Sequence, residues 1–334
     1  MSAHSPRLQV HTSPFLRQGV TTPGLMGDVL LALVPVLAVA TYYFGLSALL
    51  VVAAAAAGAV GAERLLGPKG AIRDNSALLT GVILGLVLPP GLPLWMAFLG
   101  GVVGIGLGKL VWGGLGHNLF NPALVGRAFL QAAFPTALTT WPVPTGLPGL
   151  HASSFAAPFL HGEVDGLTGA TPLNLMKFAH EATPLADLLR GSVGGSLGET
   201  SAAVIVLAGI FLAARRAFDW RIPVSVLLAV AVFSGALYLV DTGRYASPLF
   251  MLLSGGLLFG AVFMATDPVS SPLAPRGAWI YGAGIGILVV LIRTWGGLPE
   301  GVMYAILLMN AATPLLERVD QPRAFGRGAR RTIA

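Results

Sequence analysis

The run Leu25-Met26-Gly27-Asp28-Val29-Leu30-Leu31-Ala32-Leu33-Val34-Pro35-Val36-Leu37-Ala38-Val39-Ala40-Thr41-Tyr42-Tyr43-Phe44 is followed, after Gly45, by Leu46-Ser47-Ala48-Leu49-Leu50-Val51-Val52 and small apolar residues as far as Ala62. Asp28 is the one charge in this stretch. A helix needs about 20 apolar residues to cross the hydrocarbon of a bilayer. With no water there to satisfy backbone N–H and C=O groups, a helix is the element that can span. Two consecutive spans, 25 to 44 and 46 to 62, are the natural reading. The first is not a cleavable signal peptide, because no small-residue cleavage site flanks it and apolar segments simply continue.

The texture of this stretch extends along the chain. Apolar residues make up 55% and charged residues 10%, against roughly a quarter charged in soluble domains. Further spans are expected near residues 76 to 91, 93 to 112, 117 to 134, 199 to 215, 223 to 240, 248 to 266, 278 to 293 and 300 to 316. The fold class is therefore all-α and polytopic, with ten transmembrane helices. This divides the chain into an N-terminal segment 1–24, a first five-helix unit 25–134, a long loop 135–198, a second five-helix unit 199–317 and a basic tail 318–334. A loop of that length is usually functional or disordered.

Lys and Arg accumulate in cytoplasmic loops. With the N-terminus inside, Arg7, Arg17, Arg64, Lys69, Arg73, Lys109, Arg215, Arg216, Arg221, Arg276, Arg318, Arg323, Arg327, Arg330 and Arg331 fall at the cytoplasmic face. Lys177, Arg190, Arg244 and Arg293 fall outside, and Arg127 lies within the fifth span. Both termini are then cytoplasmic and the 135–198 loop is extracytoplasmic. The net charge of +6 follows from this topology and calls for no nucleic acid. Cysteine is absent, so thiolate-ligated iron–sulfur clusters and disulfides are excluded. The histidines, His4, His11, His117, His151, His161 and His180, lack the paired spacing of bis-haem helices, and no metal site is expected.

The two five-span units echo one another. Leu78-Leu79-x-Gly81-x-Ile83 with Pro89 recurs as Leu257-Leu258-x-Gly260-x-Val262 with Pro268. Gly104-Ile105-Gly106 and Trp112-Gly113-Gly114-Leu115 recur as Gly284-Ile285-Gly286 and Trp295-Gly296-Gly297-Leu298, and Asn121-Pro122-Ala123 is echoed by Asn310-Ala311-Ala312. Five spans separate equivalent points, an odd number, so the halves have opposite orientation. Inverted repeats of this kind place broken helices near the bilayer midplane, where their termini make ligand or ion sites. The expected breaks are Pro89-Pro90-Gly91 with Asp267-Pro268, and Gly113 to Pro122 with Gly296 to Pro299. Taken singly, each Gly also suits close helix packing and each Pro a span end.

The segments Ser13-Pro14 with Pro35, Asp74 to Thr80, Gly113 to Ala123, Asp165 to Leu173, Ser254-Gly255-Gly256, Met264-Ala265-Thr266-Asp267-Pro268-Val269, and Gly296 to Gly301 leading to Leu308-Met309-Asn310 resemble, in this order, the D subunit of the Rnf complex. That subunit is homologous to the B subunit of sodium-translocating NADH:quinone reductase. Two departures stand out: the family often has Gln at His117 and Tyr-Pro-Asp at Leu298-Pro299-Glu300. The short segment before Met26 favours the Rnf subunit over the reductase subunit, which generally carries a longer extension.

Asp165-Gly166-Leu167-Thr168-Gly169-Ala170-Thr171 is similar to the D-x-x-S/T-G-A-T acceptor of covalently bound flavin mononucleotide (FMN) in these subunits. The resemblance implies a phosphoester to Thr171, installed outside the cytoplasm by a separate flavin transferase that Asp165 helps to recognise the acceptor. A threonine hydroxyl is not reactive by itself, and Gly166, Gly169 and Ala170 supply small size and flexibility for an exposed acceptor. The same residues are also ordinary turn formers. The phosphodiester calls for a cation, with Lys177, Arg190, Arg244 and Arg293 as candidates. The resemblance further implies a non-covalent riboflavin, for which Asn118, Asn121 and Arg127 could line one face; Arg127 could equally snorkel or cap carbonyls.

The expected function is that of a membrane flavoprotein subunit, inactive alone, of an ion-translocating ferredoxin:NAD oxidoreductase in the bacterial cytoplasmic membrane. Its partners would be an extracytoplasmic FMN subunit, iron–sulfur membrane subunits and lipid. The carboxylates lie in loops or near span ends, so ion binding would fall to carbonyls at the broken helices helped by Asp267 or Glu300. A solute channel of urea-transporter type and a structural anchor are the competing classes, and neither has a use for a flavin acceptor.

Overall fold

The computed structural model describes residues 21–319 except 69, 143, 145, 148, 158–168, 180 and 182. Among the described residues every regular element is helical. Helix α1 (Thr22–Phe44) starts where Thr21 Oγ1 accepts the N–H of Gly24 and a proline occupies the first turn, a position where its missing donor costs nothing. It stops at Gly45, whose φ of 72° is open to glycine; a Cβ there would also lie 2.3 Å from the carbonyl oxygen of Gly149. α2 (Leu46–Leu66) follows, then a 3₁₀ turn (Ala71–Asp74) and α3 (Ser76–Leu86). α4 (Leu94–Ile105) runs on into a π turn (Gly106–Leu110), and α5 (Pro122–Ala133) is capped by Asn121, with α6 (Pro135–Thr139) after it.

The second half is helical as well. After α7 (Pro172–Asn174), which continues as a π turn (Leu175–Ala179), and α8 (Leu185–Arg190) come α9 (Ala202–Ala214) and α10 (Arg221–Val240). α11 (Pro248–Leu253) and α12 (Leu257–Phe259) flank a break, and α12 extends into a π turn (Gly260–Met264). α13 (Pro275–Trp295) and α14 (Val302–Val319) complete the chain. Each of the ten expected segments contains helix, but α1, α2, α10 and α13 are the four long and apolar enough to cross a membrane. The segments 76–86, 94–110 and 202–214 are shorter apolar helices, and the expected 248–266 span is split at Ser254-Gly255-Gly256.

Packing within the halves runs in parallel. α2 lies along α3 and α4, as α10 lies along α13, and α4 meets α5 as α13 meets α14. The close approaches depend on glycine: a Cβ on Gly101 would sit 2.2 Å from the Ala55 carbonyl oxygen, and one on Gly286 would sit 2.7 Å from that of Val226. Small residues at such crossings let dispersion contacts form where lipid offers no hydrophobic drive. α1 packs on α9 across the halves, and one continuous apolar core runs through both. The 135–198 segment is not a free loop where it is described. Its backbone is held by bonds from Gly146 N to Tyr43 O, Ser47 N to Gly149 O and Gly169 N to Trp141 O.

The expected breaks are non-helical apart from Pro122, which opens α5, and Gly113, Gly114 and Gly116 are all at positive φ. The N-terminal segment 1–20 and the tail 320–334 lie outside the described residues.

Candidate functional site

The breaks bring charge inside. At the second-half break, α11 ends with carbonyls that no helical N–H reaches. Arg293, in the last turn of α13 and 5% exposed, supplies the donors: Nη1 to Met251 O at 2.6 Å and Nη2 to Ser254 O at 2.9 Å. The fork of a guanidinium suits two carbonyls at once. This occupies one of the four cations that the sequence offered to a phosphate.

Next to it is a cavity of about 160 Å³ lined by Arg127, Gln131, Trp141, Glu199, Arg293 and Glu300, among others. Arg127 Nη2 binds Glu300 Oε2 at 2.5 Å, and both side chains are largely buried. Arg127 therefore neither snorkels nor caps carbonyls: its partner is a carboxylate from the opposite half of the chain. Glu199, in the 3₁₀ turn Leu197–Glu199 before α9, places Oε1 2.8 Å from where a Cβ on Gly256 would be. Two carboxylates and two guanidiniums thus share one cavity wall. Glu199 was missed by sequence reasoning, although a lone acid inside the glycine- and serine-rich run 191–201 is a legible signal.

Asn118 and Asn121 do not share that cavity with Arg127, which corrects the expected common face. Both are buried and line a second cavity of about 60 Å³ with Ser76, Lys109 and Asp267. Asn121 Oδ1 accepts the N–H groups of Ala123 and Leu124, and its Nδ2 donates to Met264 O at 3.2 Å. It caps α5 and ties it to the π turn after α12. Asn310, which echoes it in sequence, sits inside α14 and accepts the Tyr281 hydroxyl at 2.5 Å. Asp267 accepts Ser270 Oγ at 2.9 Å. Glu300 lines the first cavity and Asp267 the second, so the two carboxylates offered for the ion path stand in separate cavities. The neighbouring residues Ala123 and Leu124, and likewise Phe263 and Met264, face different cavities and form the partition.

Thr171 is 3% exposed, not the exposed acceptor expected. Its Oγ1 caps α7 by accepting Asn174 N–H at 3.3 Å. It faces a pocket of about 10 Å³ shared with Leu173, Ser196, Glu199 and Glu300. Gly169 and Ala170 are more exposed, while Asp165 and Thr168 lie outside the described residues. Leu173 forms a wall between this pocket and a larger cavity of about 370 Å³ lined by Lys177, Phe178, Arg244, Tyr245 and Trp295. Tyr245 and Trp295 meet edge to face at 6.3 Å, and Arg244 lies over Tyr245. Aromatic walls with cations suit a planar isoalloxazine and a phosphate, and the Thr171 hydroxyl stands behind Leu173 from them. Lys177 Nζ is hydrogen-bonded to Gly296 O and Leu298 O, and burial pushes its ammonium below the ordinary lysine range.

A family model described as NQR2, RnfD, RnfE matches residues 9–326. The chain belongs to this family. Within the NQR2, RnfD, RnfE family it is 43% identical to the D subunit of an ion-translocating oxidoreductase complex of Stutzerimonas stutzeri, over 92% of each chain. It is 39% identical to the D subunit of a Na(+)-translocating ferredoxin:NAD(+) oxidoreductase complex of Acetobacterium woodii, over 96% of this chain and 95% of that one. It is 37% identical to the D subunit of a proton-translocating ferredoxin:NAD(+) oxidoreductase complex of Clostridium ljungdahlii, over 95% and 96%. The family thus includes members named for different ions at similar distance from this chain.

Proposed function

We propose that this chain is the membrane-embedded flavoprotein subunit of an ion-translocating ferredoxin:NAD oxidoreductase, with FMN joined to Thr171 Oγ1 by a phosphoester. The observation that carries the reading is the position of Thr171 beside the aromatic and cationic cavity of Lys177, Arg244, Tyr245 and Trp295, in a chain of this family. FMN would supply electron relay; the protein supplies position and electrostatics. Phe178, Tyr245 and Trp295 would flank the ring system, and Arg244 and Lys177 would offset phosphate charge. Loading requires the first turn of α7 to open, because Asn174 N–H and the surrounding side chains cover the hydroxyl. A flavin transferase would form the oxygen–phosphorus bond from an activated flavin phosphate such as a flavin dinucleotide: Thr171 Oγ1 gives up its proton, the phosphoanhydride bond breaks and a nucleoside monophosphate leaves.

The reading includes ten spans in two inverted five-helix repeats, supported by the parallel packing of α2 on α4 and α10 on α13. Thr171 then faces outside the cytoplasmic membrane, where an extracytoplasmic FMN subunit exchanges electrons with it; iron–sulfur subunits complete the complex. Asn118 and Asn121 would contact a riboflavin from the side of the partition opposite to Arg127. Ions would cross between the Asp267 and Glu300 cavities through the partition at Leu124 and Met264, regions where unwound backbone offers carbonyl ligands. Peptide mass mapping of the purified complex tests the reading: FMN mass on the peptide holding Thr171 supports it, and an unmodified peptide from cells with active transferase refutes it.

A further inference from the structure

Residues 215–220 join α9 to α10, a connection short enough to hold its ends within about 18 Å. It carries Arg215 and Arg216, and Arg221 opens α10. The Arg221 guanidinium lies over Trp220, 5.5 Å from the ring centroid. Trp220 meets Trp279 of α13 edge to face at 6.3 Å, and Ser225 Oγ donates to Trp279 O at 2.7 Å, tying α10 to α13 at this level. Arg276 precedes Trp279 by one helical turn, a spacing that makes the two neighbours on the helix surface. A fourth guanidinium is therefore held at the same end of the helix pair.

Two carboxylates answer these four charges: Asp28 pairs with Arg215 and Asp219 with Arg221. Two positive charges remain in excess. Arg216 makes no ion pair among the described residues, is exposed, and stands at φ 54°, a left-handed conformation that few residues other than glycine adopt. Beyond this cap, α10 exposes Trp220, Val224, Leu228 and Val232. Spacing by four puts them on one face, and at 1.5 Å per residue they form a strip about 18 Å long. That matches the reach of an acyl chain through one leaflet of a hydrocarbon core about 30 Å thick.

We propose that this end of the α10–α13 pair binds an anionic diacyl phospholipid of the cytoplasmic leaflet, its phosphate among Arg216, Arg221 and Arg276 and one acyl chain along the α10 strip. Tryptophan, with an apolar ring and a polar N–H, suits the membrane boundary, and the planar fork of arginine suits phosphate. A helix of another subunit fits less well. Helices meet in lipid through small residues, whereas this strip is bulky, and such a helix would have to bring its own acids to the excess charge. An anionic lipid brings charge and chain in one molecule. Each basic residue near an anionic surface favours binding by about fivefold. Occupancy requires neither flavin nor ion movement, so this proposal and the function proposed above fail separately.

The test reconstitutes the purified intact complex in nanodiscs of phosphatidylcholine with a rising fraction of acyl-brominated phosphatidylglycerol or of acyl-brominated phosphatidylcholine, bromine being a contact quencher of tryptophan. The signal of the pair is the difference between wild type and the Trp220→Phe, Trp279→Phe double variant, which keeps both aromatic rings. The quenching curves should give an affinity for phosphatidylglycerol at least about fivefold that for phosphatidylcholine. Arg216→Asn with Arg276→Gln leaves two arginines against two carboxylates, and should bring the preference to within about twofold of unity while quenching by phosphatidylcholine persists; asparagine tolerates the left-handed backbone at 216. Equal affinities in wild type, or a preference that survives in the arginine variant, overturns the proposal. Absence of quenching by either lipid also overturns it, and places another subunit or a second copy on this face. If the arginine variant does not assemble, Arg216→Asn alone replaces it: a weaker preference supports the site, and an unchanged one overturns it.

Discussion

Replacing Arg293 by Met probes the device that holds the second-half break open. Arg293 donates to two carbonyls at 2.6 and 2.9 Å, at the C-terminal end of α11. Hydrogen bonds to a charged group are worth about 1.5–3 kcal/mol each, so truncation forfeits about 3–6 kcal/mol and leaves both carbonyls without this partner. Relief of the guanidinium's own burial returns part of that, the more so because Nε has no partner among the described residues. A net loss of about 2–4 kcal/mol follows. Arg293→Lys keeps the charge, but a point-like ammonium serves the two carbonyls less well than a planar fork, and about half the loss is expected. The assay is SDS-induced unfolding of the complex in mixed micelles, with wild type and both variants side by side. A Met variant within 0.5 kcal/mol of wild type, a margin typical of surface changes, would show that Arg293 does not hold these carbonyls; so would equal losses in Met and Lys.

Glu300→Gln should destabilise more than the double change Arg127→Gln with Glu300→Gln, because the single change strands a buried guanidinium. Breaking a fully buried pair costs about 3–5 kcal/mol, and roughly half is expected here since the Glu300 side chain is 21% exposed; the same unfolding series reads it. His151 donates its backbone N–H to Ser47 Oγ at 2.7 Å, its Nε2 is buried without a partner among the described residues, and burial lowers its pKa. The unfolded chain therefore binds this proton more readily, and stability should fall as pH drops through the ordinary histidine range. Thermal midpoints of His151→Phe across that range should be flatter than wild type. Asp267→Asn should reduce redox-driven ion pumping in proteoliposomes more than electron transfer; equal loss of both, or of neither, counts against a role in the ion path.

Length and hydropathy located helix in every expected segment, since an apolar run has one way to satisfy its backbone in lipid. The splitting of 248–266 was not legible in hydropathy, because Ser254-Gly255-Gly256 are as small and weakly polar as residues that pack in intact spans. What opens that helix is a remote donor, Arg293, and distance along the chain hides it. Lys109 misled for a similar reason: positive-inside counting treats each lysine as solvated, whereas Glu63 and Ser76 recruit this one inward. Arg127 stood out because a charge in a span demands explanation, but its partner, 173 positions away, could not be read from spacing. Thr171 was found by motif alone, and the cap it makes with Asn174 became visible only in three dimensions.

The function proposed for this chain requires that Thr171 bear flavin. Fluorescence of the denatured protein on a gel, comparing wild type with Thr171→Ala, each expressed with the flavin transferase, measures this most directly. Fluorescence that survives denaturation in wild type and vanishes in the variant is the predicted result. No bound flavin in either, despite an active transferase, would contradict the account and favour a channel.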